Sequence, residues 1–303
     1  MLKFAIHNDA MRRKEKYDGI RDTGGGKWPA MKQENGNTAT ARGSLAFAEG
    51  NISSQTGISI FDPVLTELVY RWFSPVGGTV LDPFAGGSVR GIVASKLSRQ
   101  YVGLELREEQ VKANKAQADA ICQDPMPVWH CGDSSDIVRT CGDVKADLIF
   151  SCPPYADLEV YSDNPKDISN MSYDNFLNSY RYIIAETCKL LKDDRFACFV
   201  VGEVRDKKSG NYRNFVGDTV KAFQDAGLNY YNEAILVTAV GSLPIRAGRT
   251  FQATRKLGKT HQNVLVFIKG DPKIATEACG QVEVTLPDMT PQEALESVSN
   301  DEV

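Results

Sequence analysis

Three acids stand at corresponding places in the first half of this 303-residue sequence, each at the end of a short apolar run. Asp82 closes Thr79-Val80-Leu81-Asp82, Glu105 closes Gly103-Leu104-Glu105, and Asp133 follows Cys131-Gly132 with Ser134 beside it. Asp82 also opens Asp82-Pro83-Phe84-Ala85-Gly86-Gly87-Ser88, a glycine-rich turn through which backbone can approach a ligand. The phosphate cradle GxxxxGKS/T and the dinucleotide fingerprint GxGxxG are both missing. Glu105 falls 23 residues after Asp82, where a carboxylate can accept both hydroxyls of a ribose. Asp82 can balance an ammonium or sulfonium group, and Asp133 can accept from an adenine amine. Any one acid, taken singly, reads as a helix cap or a surface charge. Three at strand ends, with no phosphate cradle, suit a cationic nucleoside.

S-adenosylmethionine is such a ligand, and a second constellation supplies a reaction for it. The apolar run Ala146–Phe150 leads into Ser151-Cys152-Pro153-Pro154-Tyr155. Two prolines remove two backbone donors and hold the preceding carbonyls in a fixed direction. A planar amino group can then donate one hydrogen to the Pro153 carbonyl and another to the side chain at 152. Drawing off both hydrogens frees the nitrogen lone pair for methyl transfer. Tyr155 offers a face for a nucleobase taken out of its helix.

The elements around these loops alternate. Asp62 suits an N-cap and Pro63 the first helical position, with Leu65, Leu68, Val69, Trp72 and Phe73 on one helical face. Strands are predicted at 79–82, 101–105, 128–131, 147–151, 196–202, 230–240 and 263–268. Helices are predicted at about 88–98, 107–121, 173–192 and 213–226. Strand–helix alternation implies a mostly parallel sheet covered on both faces, and the last two strands, with no helix predicted between them, imply an antiparallel pair. Residues 1–58 read as an arm or irregular lobe, 59–270 as the main domain, and 271–303 as an acidic, disordered tail.

That tail holds eight acids against Lys273, so the rest of the chain is net basic although the whole carries −4. Between Ser242 and Gln262 lie Arg246, Arg249, Arg255, Lys256, Lys259 and His261 without one acid, in what reads as a polar loop. A bare charge run is most often a solvated surface. The seven cysteines are odd in number and form no CxxC pair, which argues against a disulfide framework or a structural zinc and for a reducing, cytoplasmic setting. No metal is expected. No apolar stretch approaches the roughly 18 residues of a membrane span, and the first residues lack the apolar region of a signal peptide. A membrane or secreted protein is therefore not expected.

Together, Leu81-Asp82-Pro83-Phe84-Ala85-Gly86-Gly87, Gly103-Leu104-Glu105 and Ser151-Cys152-Pro153-Pro154-Tyr155 resemble the amino-methylating DNA methyltransferases. The likeness runs over about 59–270. It implies a Rossmann-like class I methyltransferase fold (α/β), with seven strands and an antiparallel last one. It implies methyl transfer from S-adenosylmethionine to N6 of adenine or N4 of cytosine in double-stranded DNA by base flipping, as in restriction–modification. Carried over, it puts Asp82, Pro83, Phe84 and Gly86 at the methionine end, Glu105 on the ribose, and Asp133 and Ser134 near adenine. Phe61 and Asp62 fall where an upstream segment meets the cofactor. Pro153, Pro154 and Tyr155 meet the target base. Cys152 stands where the family has Asp, Asn or Ser, and a thiol is a weak acceptor. Ser151, Asp157 or Glu159 then shares the role, and adenine and cytosine stay undecided. Arg246, Arg249, Arg255, Lys256 and Lys259 would hold duplex phosphates, with Arg205 as a second contact and 156–170 as a lid. A homodimer is compatible with this reading. The alternatives are an RNA or protein-amide methyltransferase, or a catalytically silent DNA-binding module.

Overall fold

The computed structural model describes residues 61–156, 161–238 and 243–282, with backbone alone for 243–246. The expected arm over 1–58 lies outside them, as do residues 283–303 of the expected tail.

Asp62 begins the first helix, α1 (Pro63–Phe73), by accepting from the backbone N–H groups of Val64 and Leu65 at 2.8 and 3.2 Å. At the other end Arg99 donates to the carbonyls of Tyr70 and Ser74, and so braces the last turn of the helix. Trp72, placed on the apolar face by its spacing, is exposed, because α1 turns Thr66, Glu67, Val69 and Tyr70 inward instead.

Then come β1 (Thr79–Asp82), α2 (Val89–Lys96), β2 (Gln100–Glu105), α3 (Glu108–Ile121), β3 (Val128–Cys131), α4 (Ile137–Cys141) and β4 (Ala146–Ser151). The second half holds α5 (Tyr173–Leu190), β5 (Leu191–Val201), α6 (Phe215–Asp225), β6 (Asn229–Val237), α7 (Leu243–Thr254), β7 (His261–Lys269) and α8 (Pro272–Cys279). The strands form one sheet in the order β3-β2-β1-β4-β5-β7-β6. The first five are parallel, and β7 runs antiparallel to both β5 and β6. This is the Rossmann-like, seven-stranded sheet with an antiparallel last strand that the resemblance implies.

Alternation along the strands divides the core. Leu81 and Ile149 face Phe176, Tyr180, Phe199 and Phe215 on the side of α5 and α6. Their neighbours Val80, Leu148 and Phe150 face Tyr70, Val93 and Trp129 on the side of α1, α2 and α3. Burying such large side chains contributes about 1.5–3 kcal/mol each. A sheet covered on both faces leaves its strand ends as the place for a site, and β1 and β4 sit where the chain order reverses. Loops leaving the carboxyl ends of such a pair border the crevice where ligands of open α/β sheets bind.

The stretches after β6 and β7 differ from expectation, as do the unpredicted α4 and the early start of β5 at Leu191. The basic stretch after β6 is not a loop throughout, since α7 occupies Leu243–Thr254 and ends in a left-handed Arg255 whose N–H bonds the Phe251 carbonyl. The start of the acidic tail is also helical. Asp271 caps α8, Pro272 occupies its first turn, and Ala275 is buried where the helix meets β5 and α1. Density of acids outweighed these local start signals in the sequence reading.

Gly91 sets how closely α2 packs on the sheet: a Cβ there would stand 2.8 Å from Cη2 of the buried Trp129 ring. Gly91→Ala is expected to lower unfolding free energy by about 1–3 kcal/mol. Urea denaturation measures it, and an unchanged midpoint would contradict the packing described.

Candidate active site at the sheet rim

Asp82, at the end of β1, is fully buried and its carboxylate is enclosed by donors. Arg90 Nε donates to Oδ2 at 2.6 Å and the Tyr101 hydroxyl to the same oxygen at 2.8 Å. Ser151 Oγ donates to Oδ1 at 2.6 Å, and the Phe84 N–H does so at 3.1 Å. Burial pulls the Arg90 guanidinium down, but Asp82 outweighs that and holds it above its ordinary value. Burial, then the Asp82 charge, pushes the Tyr101 hydroxyl well up. Arg90 also donates to the carbonyls of Phe84 and Ala85 at 2.8 and 2.9 Å, so one side chain fixes the turn on which it stands.

Two sequence assignments are corrected by this arrangement. Asp82 is not an open counter-charge for a cationic ligand, because Arg90 already neutralises it inside the protein. Ser151 does not present its hydroxyl to a substrate. It is fully buried, donates to Asp82, and accepts from the Phe84 N–H at 3.2 Å. It therefore ties the 151–155 loop to the 82–88 loop.

Above this node the turn is open. Gly86 has φ +53°, a left-handed value that favours glycine, and a Cβ built on it meets nothing within 4 Å. Its carbonyl accepts from Asn114 Nδ2 at 2.8 Å. Gly103 brings β2 close beneath, since a Cβ there would lie 2.8 Å from that of Ala85. Pro83 is buried and its carbonyl accepts from Ser134 Oγ. Phe84 is half-buried against Tyr180 and Phe199.

Glu105 ends β2 with little exposure and accepts from the Arg107 N–H at 2.9 Å. Burial pushes its carboxyl above the usual glutamate range, offset in part by the Arg107 N–H, the Arg107 guanidinium and the Gly86 N–H. Asp133 accepts from the Ser135 N–H at 2.9 Å, and a Cβ on Gly132 next to it would also meet nothing. The Phe61 ring lies under the Arg90 guanidinium, 4.5 Å from its centroid, which brings the upstream segment to the node. Asp62 is exposed and spends its carboxylate on the cap of α1. These acceptors suit an uncharged ribose and adenine: carboxylates at the β2 and β3 ends, and open space over Gly86 between them.

The loop after β4 runs along the same rim. Pro153 is buried, and Cys152, Pro154 and Tyr155 are half-buried. Gln262 Nε2 donates to the Tyr155 hydroxyl at 2.6 Å, and that hydroxyl lies 3.4 Å from the Val200 carbonyl and 3.7 Å from Cys152 Sγ. Phe215 meets the Tyr155 ring edge-on, with centroids 6.1 Å apart. The ring is thus held at both its hydroxyl and its flank. Asp157 and Glu159 lie outside the described residues.

The basic residues fare differently. Arg249 and Arg255 are exposed on or just after α7, with the Arg255 guanidinium 4.9 Å from the centroid of the exposed Phe251 ring. Lys256 lies against Gly210. Lys259 donates to Asn263 Oδ1 at 3.2 Å, and burial lowers its ammonium. Arg205 stacks on Tyr212 at 3.8 Å and donates to the Gly210 carbonyl, so it braces its own turn. The Arg246 side chain lies outside the described residues. No helix among the described residues is long and apolar enough to cross a membrane, and no group of three His, Cys, Asp or Glu there could hold a metal ion.

Sequence reasoning missed Arg90, Tyr101, Asn114 and Gln262. An arginine two residues past a glycine-rich turn was the available signal for the first, because an acid ending a buried strand needs a counter-charge.

Arg90→Met should cost about 3–5 kcal/mol of unfolding free energy, because Asp82 is left buried and unpaired; a loss within error of zero in denaturant would contradict the pairing. Binding of S-adenosylmethionine should weaken as pH falls through a midpoint above about 4.3, the value of an ordinary glutamate. The sign follows because ribose hydroxyls donate to the charged form, which the raised Glu105 pKa removes early. Calorimetric titration tests it: Glu105→Gln should lack this dependence, and a wild-type affinity flat with pH would contradict it.

Similar solved structures include TrmN from Thermus thermophilus, at 14% identity and a TM-score of 0.45, over 68% of this chain and 48% of that one. A TehB-like SAM-dependent methyltransferase from Corynebacterium glutamicum is 18% identical, with a TM-score of 0.42, over 67% and 86%. Magnesium protoporphyrin IX methyltransferase from Synechocystis is 12% identical, with a TM-score of 0.41, over 65% and 71%. The chain spans about half the length of TrmN. No curated protein matches it. Residues 62–116, which build α1, β1, the 82–88 turn, α2, β2 and part of α3, match the family described as DNA methylase, whose methyl donor is S-adenosylmethionine.

Proposed function

We propose that the protein transfers a methyl group from S-adenosylmethionine to an exocyclic amino group of a base in double-stranded DNA, N6 of adenine or N4 of cytosine. One observation carries the reading. The 82–88 turn and the 151–155 loop, 69 residues apart, are joined at the β1/β4 switch point by the bond from Ser151 to Asp82. A cofactor turn and a double-proline loop held against each other are what such a transfer needs, and the DNA methylase match covers the first of them.

In this reading Glu105 accepts the ribose hydroxyls, Asp133 and Ser134 face the adenine, and Phe61, Phe84 and Gly86 line the methionine end. When bound, the cofactor supplies an electrophilic methyl on a sulfonium. The chain's own residues position the other reactant. The Pro153 carbonyl accepts one hydrogen of the amine, Pro154 keeps the loop stiff, and Tyr155 stacks the flipped base. Cys152 sits beside the amine as a weak second acceptor. Arg249 and Arg255 contact phosphates, Phe251 enters the gap left by the base, and Lys256, Lys259 and Arg205 support the 205–212 turn and the start of β7. Arg246 is assigned with them from sequence.

Label uptake from methyl-labelled S-adenosylmethionine should appear on duplex DNA, on an exocyclic nitrogen. Uptake by structured RNA or protein instead, or by nothing, would overturn the proposal. Tyr155→Ala should slow DNA transfer on the order of 10-fold or more, since base–aromatic stacking contributes about 1–3 kcal/mol. Exchanging Arg249 and Arg255 for alanine should reduce the slope of log affinity against log salt by about 1.8, roughly 0.9 per phosphate lost. An unchanged slope would refute the contact.

A further inference from the structure

Among its described residues, the double-proline loop offers no strong second acceptor for the amine, because Ser151 is committed to Asp82 and Cys152 offers a thiol. We propose that Glu203 supplies it and takes the proton that the amine releases, an inference that rests on the function proposed above. Glu203 Oε2 is the one buried side-chain oxygen without a hydrogen-bond partner among the described residues. Its other oxygen accepts from the Val216 N–H, at the start of α6, at 3.1 Å. Buried carboxylate oxygens are ordinarily paired, so an open one marks a place for an incoming donor.

Its position fits. Glu203 lies two residues past β5, four beyond Phe199, as Tyr155 lies four beyond Ser151, the partner of Phe199 in the sheet. The neighbours on either side of its anchoring bond both touch the Tyr155 ring. Phe215 meets the ring edge-on, and a Cβ on Gly202 would stand 3.6 Å from Cε2. Among the described residues, Lys259 and Tyr173 feel the Glu203 charge, yet each donates elsewhere: Lys259 to Asn263, and Tyr173 to Asp218 at 3.1 Å.

The step balances. The amine lone pair forms the new N–C bond as the C–S bond breaks, its electron pair staying on the departing thioether sulfur. The nitrogen, now cationic, gives one hydrogen as a proton to Glu203, from which it passes to water.

Glu203→Gln keeps an oxygen for the Val216 N–H and turns the other atom into a donor. In the full chain with duplex DNA, kcat should fall on the order of 100-fold, with KM for DNA, S-adenosylmethionine affinity and Tm unchanged. Glu203→Ala should lose as much and regain part of its rate with added formate. A variant matching wild type, or one losing stability and activity together without formate rescue, overturns the role of Glu203 alone. Wild-type protein inert on DNA would overturn the functional reading itself, and this proposal with it.

Discussion

One buried carboxylate sets the terms for the rest of this molecule. Moving a charge out of water costs several kcal/mol even after relaxation, and attraction to a partner offsets that only when the remaining lone pairs are satisfied. Asp82 meets the condition with an arginine, a tyrosine, a serine and a backbone N–H drawn from four segments. Satisfying it therefore fixes where those segments lie. Arg90 anchors the turn through two carbonyls, Tyr101 brings β2 alongside, and Ser151 docks the loop that follows β4. The site is built around this ion pair, and the pair itself makes no contact with the chemistry proposed.

That division of labour clarifies the chemistry. With Asp82 neutralised, the rim offers open space over Gly86 and carboxylates at the ends of β2 and β3, matching the uncharged part of a nucleoside. On the neighbouring loop, prolines supply a directed carbonyl and Tyr155 a ring tethered through Gln262 and flanked by Phe215. The thiol at 152 is a weak acceptor for the amine, and Glu203, proposed as the second one, follows Gly202, whose backbone lies against the same ring.

Much of this was legible in the sequence. Strands β1 and β3 fall where period and flanking turns put them, and the antiparallel end of the sheet follows from two strands with no predicted helix between them. The loops bearing Gly86, Glu105 and Pro153 lie on the rim as expected. What escaped has a common cause: a sequence shows that a residue is charged and not which way its charge is spent. Asp82 and Ser151 looked like groups facing a ligand because their burial and partners are properties of packing. Arg90 went unremarked for the same reason. The helices α7 and α8 were hidden by charge density, which says nothing about propensity. Asp271 and Pro272 carried the start signal for α8 all along.

A crystal structure with S-adenosylmethionine bound tests the central claim most directly. The account predicts the ribose against Glu105 and the methionine end over Gly86, with Asp82 still held by Arg90, Tyr101 and Ser151. A ligand found elsewhere, or Asp82 released from Arg90 to meet it, would contradict it.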